Sequence, residues 1–303
     1  MIYRVRHRTA YAYGDTVLLS HHMLHLTPRS TERQKRLETR LVIEPEPAGP
    51  VARRRDFYGN EVAIFELTTA HRRFVVESSS LVAVDPLVLP PAGATEPWQD
   101  IAADVMNNND PRAYALSDFA GRNEHSQVAE QLRDYVRPSF PAGRPVLEAA
   151  RDLARRVHDD FDYVPGVTDV TTSVGAVMQK RRGVCQDFAH LMVAGLRVIG
   201  LPARYVSGYL RTEPPEGQAR LIGADQSHAW VSVWMREAGW IDLDPTNACF
   251  AGEDHITLAW GRTYADVAPV KGVLTGGGEH QLKVEVDVIP AETGPAEDSA
   301  LVA

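Results

Sequence analysis

Arg181-Arg182-Gly183-Val184-Cys185-Gln186-Asp187-Phe188-Ala189-His190 is the stretch on which the reading of this chain turns. A basic, glycine-led approach runs into a cysteine. Phe188, Ala189, Leu191 and Met192 then open an apolar face at helical spacing. The helix predicted from about Cys185 runs to Ile199 and stops at Gly200, with Pro202 behind it. A helix N-terminus carries unpaired amides and the positive end of the macrodipole, which favour a thiolate over a thiol. Gly183 permits a sharp turn there, so the Cys185 amide is available to a substrate oxyanion.

A nucleophilic thiol needs a base, and the base needs an orienting partner. His228 begins a predicted strand that runs to Trp234. A turn at Arg236 to Gly239 follows, and a second strand runs from Trp240 to Asp244 before Pro245 and Thr246. In such a hairpin the start of the first strand lies beside the end of the second, so His228 and Asp244 are neighbours to within about a residue pair. A carboxylate on one imidazole nitrogen would fix the tautomer that faces the cysteine. Asp242 shares a face with Asp244, and spacing alone leaves both open.

Upstream of this region, Val128, Leu132, Tyr135 and Val136 fit one helix. Val146, Leu147, Ala150, Leu153, Ala154 and Val157 fit another, with Pro145 at its start, and Thr172 or Ser173 could cap a shorter one. Asp85 to Trp98 holds Pro86, Pro90, Pro91 and Pro97 with Gly93, a density that marks a boundary. Ahead of it the period is two. Tyr3, Val5, His7, Thr9, Tyr11 and Tyr13 share one face, and Leu37 to Ile43, Val62 to Leu67, Phe74 to Val76 and Leu81 to Val84 are further short strands. The expected fold is α+β, an N-terminal β-sandwich-like domain followed by a core carrying Cys185, His228 and Asp244. The expected bounds are 1–95 for the β-rich domain, 96–145 for a helical linker region, 146–270 for the core and 271–290 for a C-terminal strand that joins a sheet. Residues 291–303 form a frayed tail. The insertion Glu213 to Asp225, with Pro214, Pro215 and Gly217, is the expected substrate-gating loop.

Composition narrows the function. The chain has 303 residues, 44% hydrophobic and 24% charged, an ordinary globular balance. A net charge of −8 argues against a nucleic-acid binder. Two cysteines, Cys185 and Cys249, exclude a disulfide scaffold and a thiolate-rich metal site. No stretch is long and apolar enough to span a bilayer, and no apolar run follows Arg4, Arg6 and Arg8, so the expectation is a soluble cytoplasmic protein without nucleic-acid or membrane partners. His21, His22 and His25 are flanked by Leu18, Leu19, Met23, Leu24 and Leu26, which reads as packing rather than metal ligation. Cys249 reads as core filler, Asp187 as a partner for first-turn amides, and Arg53 to Arg55 as a solvated hairpin end. Trp230 reads as a core aromatic that could also wall the cleft.

Four segments carry a resemblance. Arg182 to His190, Gly200-Leu-Pro-Ala-Arg-Tyr-Val-Ser-Gly-Tyr209, Ser227-His-Ala-Trp230 and Gly239-Trp-Ile-Asp-Leu-Asp-Pro-Thr246 together resemble the transglutaminase-like superfamily, in that family's order. The N-terminal strands look like the β-domain that precedes this core in bacterial members. Gly261 to Asp266 and the turn Gly276-Gly277-Gly278 resemble their C-terminal region, with Thr263 where that subfamily has an aspartate. The resemblance implies a papain-like α+β core and a catalytic triad of Cys185, His228 and Asp244, its Asp-Pro-Thr element favouring Asp244 over Asp242. It implies thiol-dependent hydrolysis of an amide or peptide bond through a Cys thioester, acting on a peptide or protein amide and requiring no cofactor. Acyl transfer to a primary amine and a non-catalytic interaction scaffold are the alternatives. A small acyl donor ranks last, since no Gly-rich phosphate loop accompanies the triad.

Overall fold

The computed structural model describes residues 1–107, 112–120, 127–212 and 225–291. The predicted gating loop, apart from Asp225, and the tail from 292 onward lie outside them. The first five strands are β1 (Ile2–Leu24), β2 (Gln34–Glu44), β3 (Ala52–Arg55), β4 (Glu61–Leu67) and β5 (His71–Val84). The helical half contains α1 (Trp98–Met106), α2 (Ala113–Ser117), α3 (Gln127–Val136) and α4 (Val146–Asp160). It continues through β6 (Asp162–Tyr163), α5 (Val174–Lys180), β7 (Arg182–Gly183) and α6 (Cys185–Val198). Then come β8 (Ala203–Leu210), β9 (Gln226–Met235), β10 (Gly239–Asp244), β11 (Cys249–Phe250) and β12 (His255–Gly261). The short α7 (Tyr264–Val267) and the strands β13 (Val270–Gly276) and β14 (His280–Pro290) complete the order.

The N-terminal strands, with β13 and β14, are joined into one continuous seven-stranded antiparallel sheet. The cause is β1. It runs for 23 residues, its buried face switching from odd to even positions between Val17 and Ser20, so its two halves serve different partners. Tyr3 to Tyr13 pairs with β14 along one edge while Ile2 to Ala12 pairs with β5 along the other. Ser20 to Leu24 pairs with β4 and β13. The two stretches predicted as separate strands, Phe74 to Val76 and Leu81 to Val84, are one strand, β5, because the intervening Ser78 and Ser80 keep the buried phase. Gly276, Gly277 and Gly278 all have positive φ (94, 87 and 60°), and their turn delivers β14 against β1.

A second antiparallel sheet, in the order β11-β10-β9-β8-β12, carries the helices on one side. Ala229, Val231, Val233 and Met235 point into the main core with Phe188, Leu191 and Met192 of α6 and with Val146, Leu153 and Val157 of α4. The intervening Trp230 enters a separate cluster with Val206 and Ala251. Tyr3, Val5, Val82, Val84, Val286 and Val288 of the first sheet belong to the same main core as α4 and α6. The N-terminal sheet is therefore packed into the helical half, and side chains bridge the two sheets. Gln34 Nε2 donates to the Thr257 carbonyl at 2.8 Å, and Asn60 Nδ2 to the Trp260 carbonyl at 2.9 Å.

Candidate active site

Cys185 is the first residue of α6. The approach is held by Asp187, whose Oδ2 accepts from the Val184 amide at 2.8 Å and from the Thr168 hydroxyl at 2.6 Å. That is the first-turn role expected of it. Gly183 is required here for space rather than for an unusual backbone angle. A Cβ at this position would meet Asp187 Oδ2 at 2.7 Å and its Cβ at 2.8 Å. The left-handed residue of the turn is Arg181, at φ 54°.

The hairpin of β9 and β10 has the predicted register, with Leu243 opposite Val231 and Asp242 opposite Ser232. His228 and Asp244, just beyond these pairs, are joined by an Nε2···Oδ2 hydrogen bond of 2.7 Å, and both are buried. Cys185 acts on the same ring, favouring its protonated form alongside Asp244. With Nε2 engaged by Asp244, Nδ1 is the nitrogen left for the thiol. Burial alone would lower the imidazole's proton affinity, but the bond to Asp244 and the influence of Cys185 outweigh it and raise the His228 pKa to about 10. Burial acts on Asp244 in the opposite sense, and its bonds to His228 and His255 hold the carboxyl well below the usual carboxylate range.

Asp244 is anchored more heavily than the sequence suggested. Oδ1 accepts from the backbone amides of Thr246 (2.8 Å) and Asn247 (3.2 Å). Besides His228, Oδ2 accepts from Asn247 Nδ2 at 2.6 Å and bonds to His255 Nε2 at 3.2 Å. The Gly252 amide donates to His255 Nδ1 at 3.3 Å, which leaves the proton on Nε2, facing Asp244. His255 went unrecognised in the sequence because it lies on β12, which meets the β9–β10 hairpin only through β8. The ligating atoms of His228, Asp244 and His255 lie within 4.8 Å of one another, close enough to be compared with a metal site. Both imidazole Nε2 atoms converge on a single carboxylate oxygen at hydrogen-bond distance, which makes the cluster a proton-bonded network.

The competing aspartate has other work. Asp242 Oδ2 accepts from Trp230 Nε1 at 2.9 Å, so it fixes the indole whose ring lies 6.2 Å from that of His228. Trp230 in turn needs Gly208, where a Cβ would come within 2.4 Å of the indole and 2.2 Å of the Ile256 carbonyl oxygen. His190 is engaged elsewhere: its Nε2 accepts from the Tyr264 amide at 3.1 Å and its ring packs on Tyr205. Thr263 caps α7 together with Asp266. Cys249 is exposed on β11, opposite Asp244 at the end of the sheet, and is not core filler. Partial burial and the Asp244 charge raise its pKa to about 11. His22 and His25 are buried, with His25 bonded to the Ala268 carbonyl and Asp56, whereas His21 is exposed.

A family model of the transglutaminase-like superfamily matches residues 127–245, and one of the bacterial transglutaminase-like N-terminal region matches residues 3–83. The chain belongs to the transglutaminase-like superfamily. An uncharacterised protein of Mycobacterium tuberculosis is 42% identical over 301 residues, covering 96% of this chain and 93% of that relative. A protein-glutamine gamma-glutamyltransferase of Pseudomonas aeruginosa is 32% identical over 152 residues, covering 49% of this chain but 20% of that protein. Among solved structures, a candidate cysteine protease of Cytophaga hutchinsonii has the same fold, with a TM-score of 0.70 at 20% identity over 99% of this chain and 94% of its own. No helix among the described residues is long and apolar enough to cross a membrane.

Proposed function

We propose that this transglutaminase-like chain is a cysteine hydrolase of amide or peptide bonds. The observation that carries the reading is the buried His228–Asp244 hydrogen bond, on whose imidazole Cys185, at the start of α6, also acts. In this mechanism His228, kept protonated by its raised pKa, is the imidazolium partner of Cys185, and the sulfur attacks the carbonyl carbon as a thiolate. The Cys185 amide at the helix start holds the oxyanion. Collapse of the tetrahedral intermediate breaks the C–N bond, and the imidazolium proton leaves with the amine. Water, deprotonated by His228, then attacks the thioester, releasing a carboxylic acid and the thiol. Asp244 remains ionised throughout and holds the ring, as its five accepted hydrogen bonds favour. The substrate class is a peptide or protein amide, and the thiol and imidazole require no cofactor.

The similarity to a gamma-glutamyltransferase supports a second acceptor, a primary amine, which would give transamidation by the same thioester. A panel of fluorogenic peptide amides, assayed with and without an added alkylamine, tests both readings. Hydrolysis predicts release of the free acid, unaffected by amine and abolished by Cys185→Ala. Predominant amide exchange with the alkylamine would transfer the assignment to transamidation. Full turnover by a folded Cys185→Ala protein would end the thioester mechanism for both.

A further inference from the structure

A cavity of about 840 Å³ lies between the segments flanking the N-terminal sheet, Thr31 to Gln34 and Val84 to Val88, and the tryptophan-bearing face of the second sheet. Its volume suits a small molecule. Cys185 is not part of its wall; His255, which bonds to Asp244, is. Trp230, Trp234, Trp240 and Trp260 all line it, four of the five tryptophans in the chain.

Arg204 of β8 lines the same cavity and is only 8% exposed. Its guanidinium carbon sits 3.6 Å from the centre of the Trp260 ring and 4.3 Å from that of Trp240. Stacking covers the face of a guanidinium and leaves its N–H edge to find acceptors. The Arg204 side chain nevertheless makes no hydrogen bond or ion pair among the described residues, and its Nε is buried without an acceptor. The nearest influential acid, Asp242, has one carboxylate oxygen committed to Trp230. Arg29, stacked on Trp260 as well, adds repulsion. Burial lowers the proton affinity of Arg204 to a pKa of about 9, further evidence that its charge lacks full compensation in the protein alone. Of the other cations in the wall, Arg33 is spent on the carbonyls of Asp85, Pro86 and Ala251, Arg236 on Asp104, and Arg112 on the Arg236 carbonyl and the Trp234 ring. Glu32 and Glu237 also line the cavity and disfavour a ligand carrying several negative charges.

We propose that this cavity binds an organic monocarboxylate with a flat apolar body, its carboxylate bonded to the N–H edge of Arg204 and its body against the indoles. A guanidinium matches a carboxylate in a planar, two-point geometry, and the indoles supply the apolar contact. The site is separate from the thiol and does not depend on the hydrolytic reading.

Because four indoles line the cavity, intrinsic tryptophan fluorescence reports its occupancy. The full chain would be titrated at constant ionic strength with benzoate, with the uncharged analogue benzamide, and with sulfate as competitor. We expect a saturable change with benzoate and at least about tenfold weaker binding of benzamide. Folded Arg204→Gln should lose the benzoate response, and Arg204→Lys should weaken it. Equal binding of benzoate and benzamide, no saturable response to benzoate, or equal displacement by sulfate would overturn the proposal. The comparison of benzoate with benzamide uses the wild-type protein and decides the matter even where Arg204→Gln fails to fold.

Discussion

Replacing Asp244 by asparagine keeps the side chain's size and removes its charge, and the structure says where the cost falls. Asp244 is fully buried and His228 nearly so, and they meet at 2.7 Å. Without the carboxylate the imidazolium loses its counter-charge, while burial, which lowers its pKa, remains. The gap between about 10 and the ordinary 6.5, to which Cys185 also contributes, sets an upper bound of about 5 kcal/mol at roughly 1.4 kcal/mol per pH unit. In addition, an amide nitrogen in place of Oδ2 would confront Asn247 Nδ2 and His255 Nε2, two donors with no acceptor left. Breaking one side of a buried ion pair costs about 3–5 kcal/mol, so we expect a loss of that size near pH 5.5. The raised His228 pKa makes the pair's stabilisation complete below about 6.5, and it is lost as pH rises toward about 10. The lowered Asp244 pKa makes its share present above 3.8 and lost in acid. The stability gap between wild type and Asp244→Asn should therefore form a plateau from about pH 4 to about pH 6.5 and narrow steadily above it. Urea unfolding of both proteins at about pH 5.5 and about pH 9.5 measures this. A gap below about 1 kcal/mol, or one that is as wide at the higher pH, would refute the reasoning.

Gly208→Ala should destabilise the protein by roughly 3 kcal/mol or more, because the new methyl group meets a backbone carbonyl oxygen at 2.2 Å and the Trp230 indole at 2.4 Å. Thermal unfolding followed by near-ultraviolet circular dichroism would register both the lower midpoint and the displaced indole. Asp187→Ala removes the acceptor of the Val184 amide and the Thr168 hydroxyl, so a loss of about 1–2 kcal/mol is expected in urea titrations. Iodoacetamide labelling read by mass spectrometry should modify Cys185 faster than the more exposed Cys249 near neutral pH, since Cys249 is held to about 11. Preferential labelling of Cys249 would contradict the assignment of the nucleophile.

Much of the site was legible in order along the chain. The β9–β10 hairpin is a local structure, so its turn residues and alternation were sufficient to bring His228 near Asp244 before any coordinates existed. The start of α6 at Cys185 was equally local, being marked by an apolar helical period behind a glycine. Asp242 and Asp244 were not separable in this way, because the two-residue period makes them equivalent. What separates them is a third-party contact, the Trp230 indole for one and the His228 ring for the other.

The sequence by itself determined the elements whose signals lie within a dozen residues: the helices behind Cys185 and Pro145, the hairpin, and the alternation of β1 and β14. Tertiary structure decided everything that required distant segments to meet. It set β1 as one 23-residue strand at the centre of a single sheet, because partners from both ends of the chain share its two edges. It added His255 to Asp244 across the width of the second sheet and placed Cys249 on that sheet's exposed end strand. It also buried Arg204 between indoles from β10 and β12. Periodicity reports which face a residue takes, whereas its neighbours across that face depend on strand order, which no local pattern encodes.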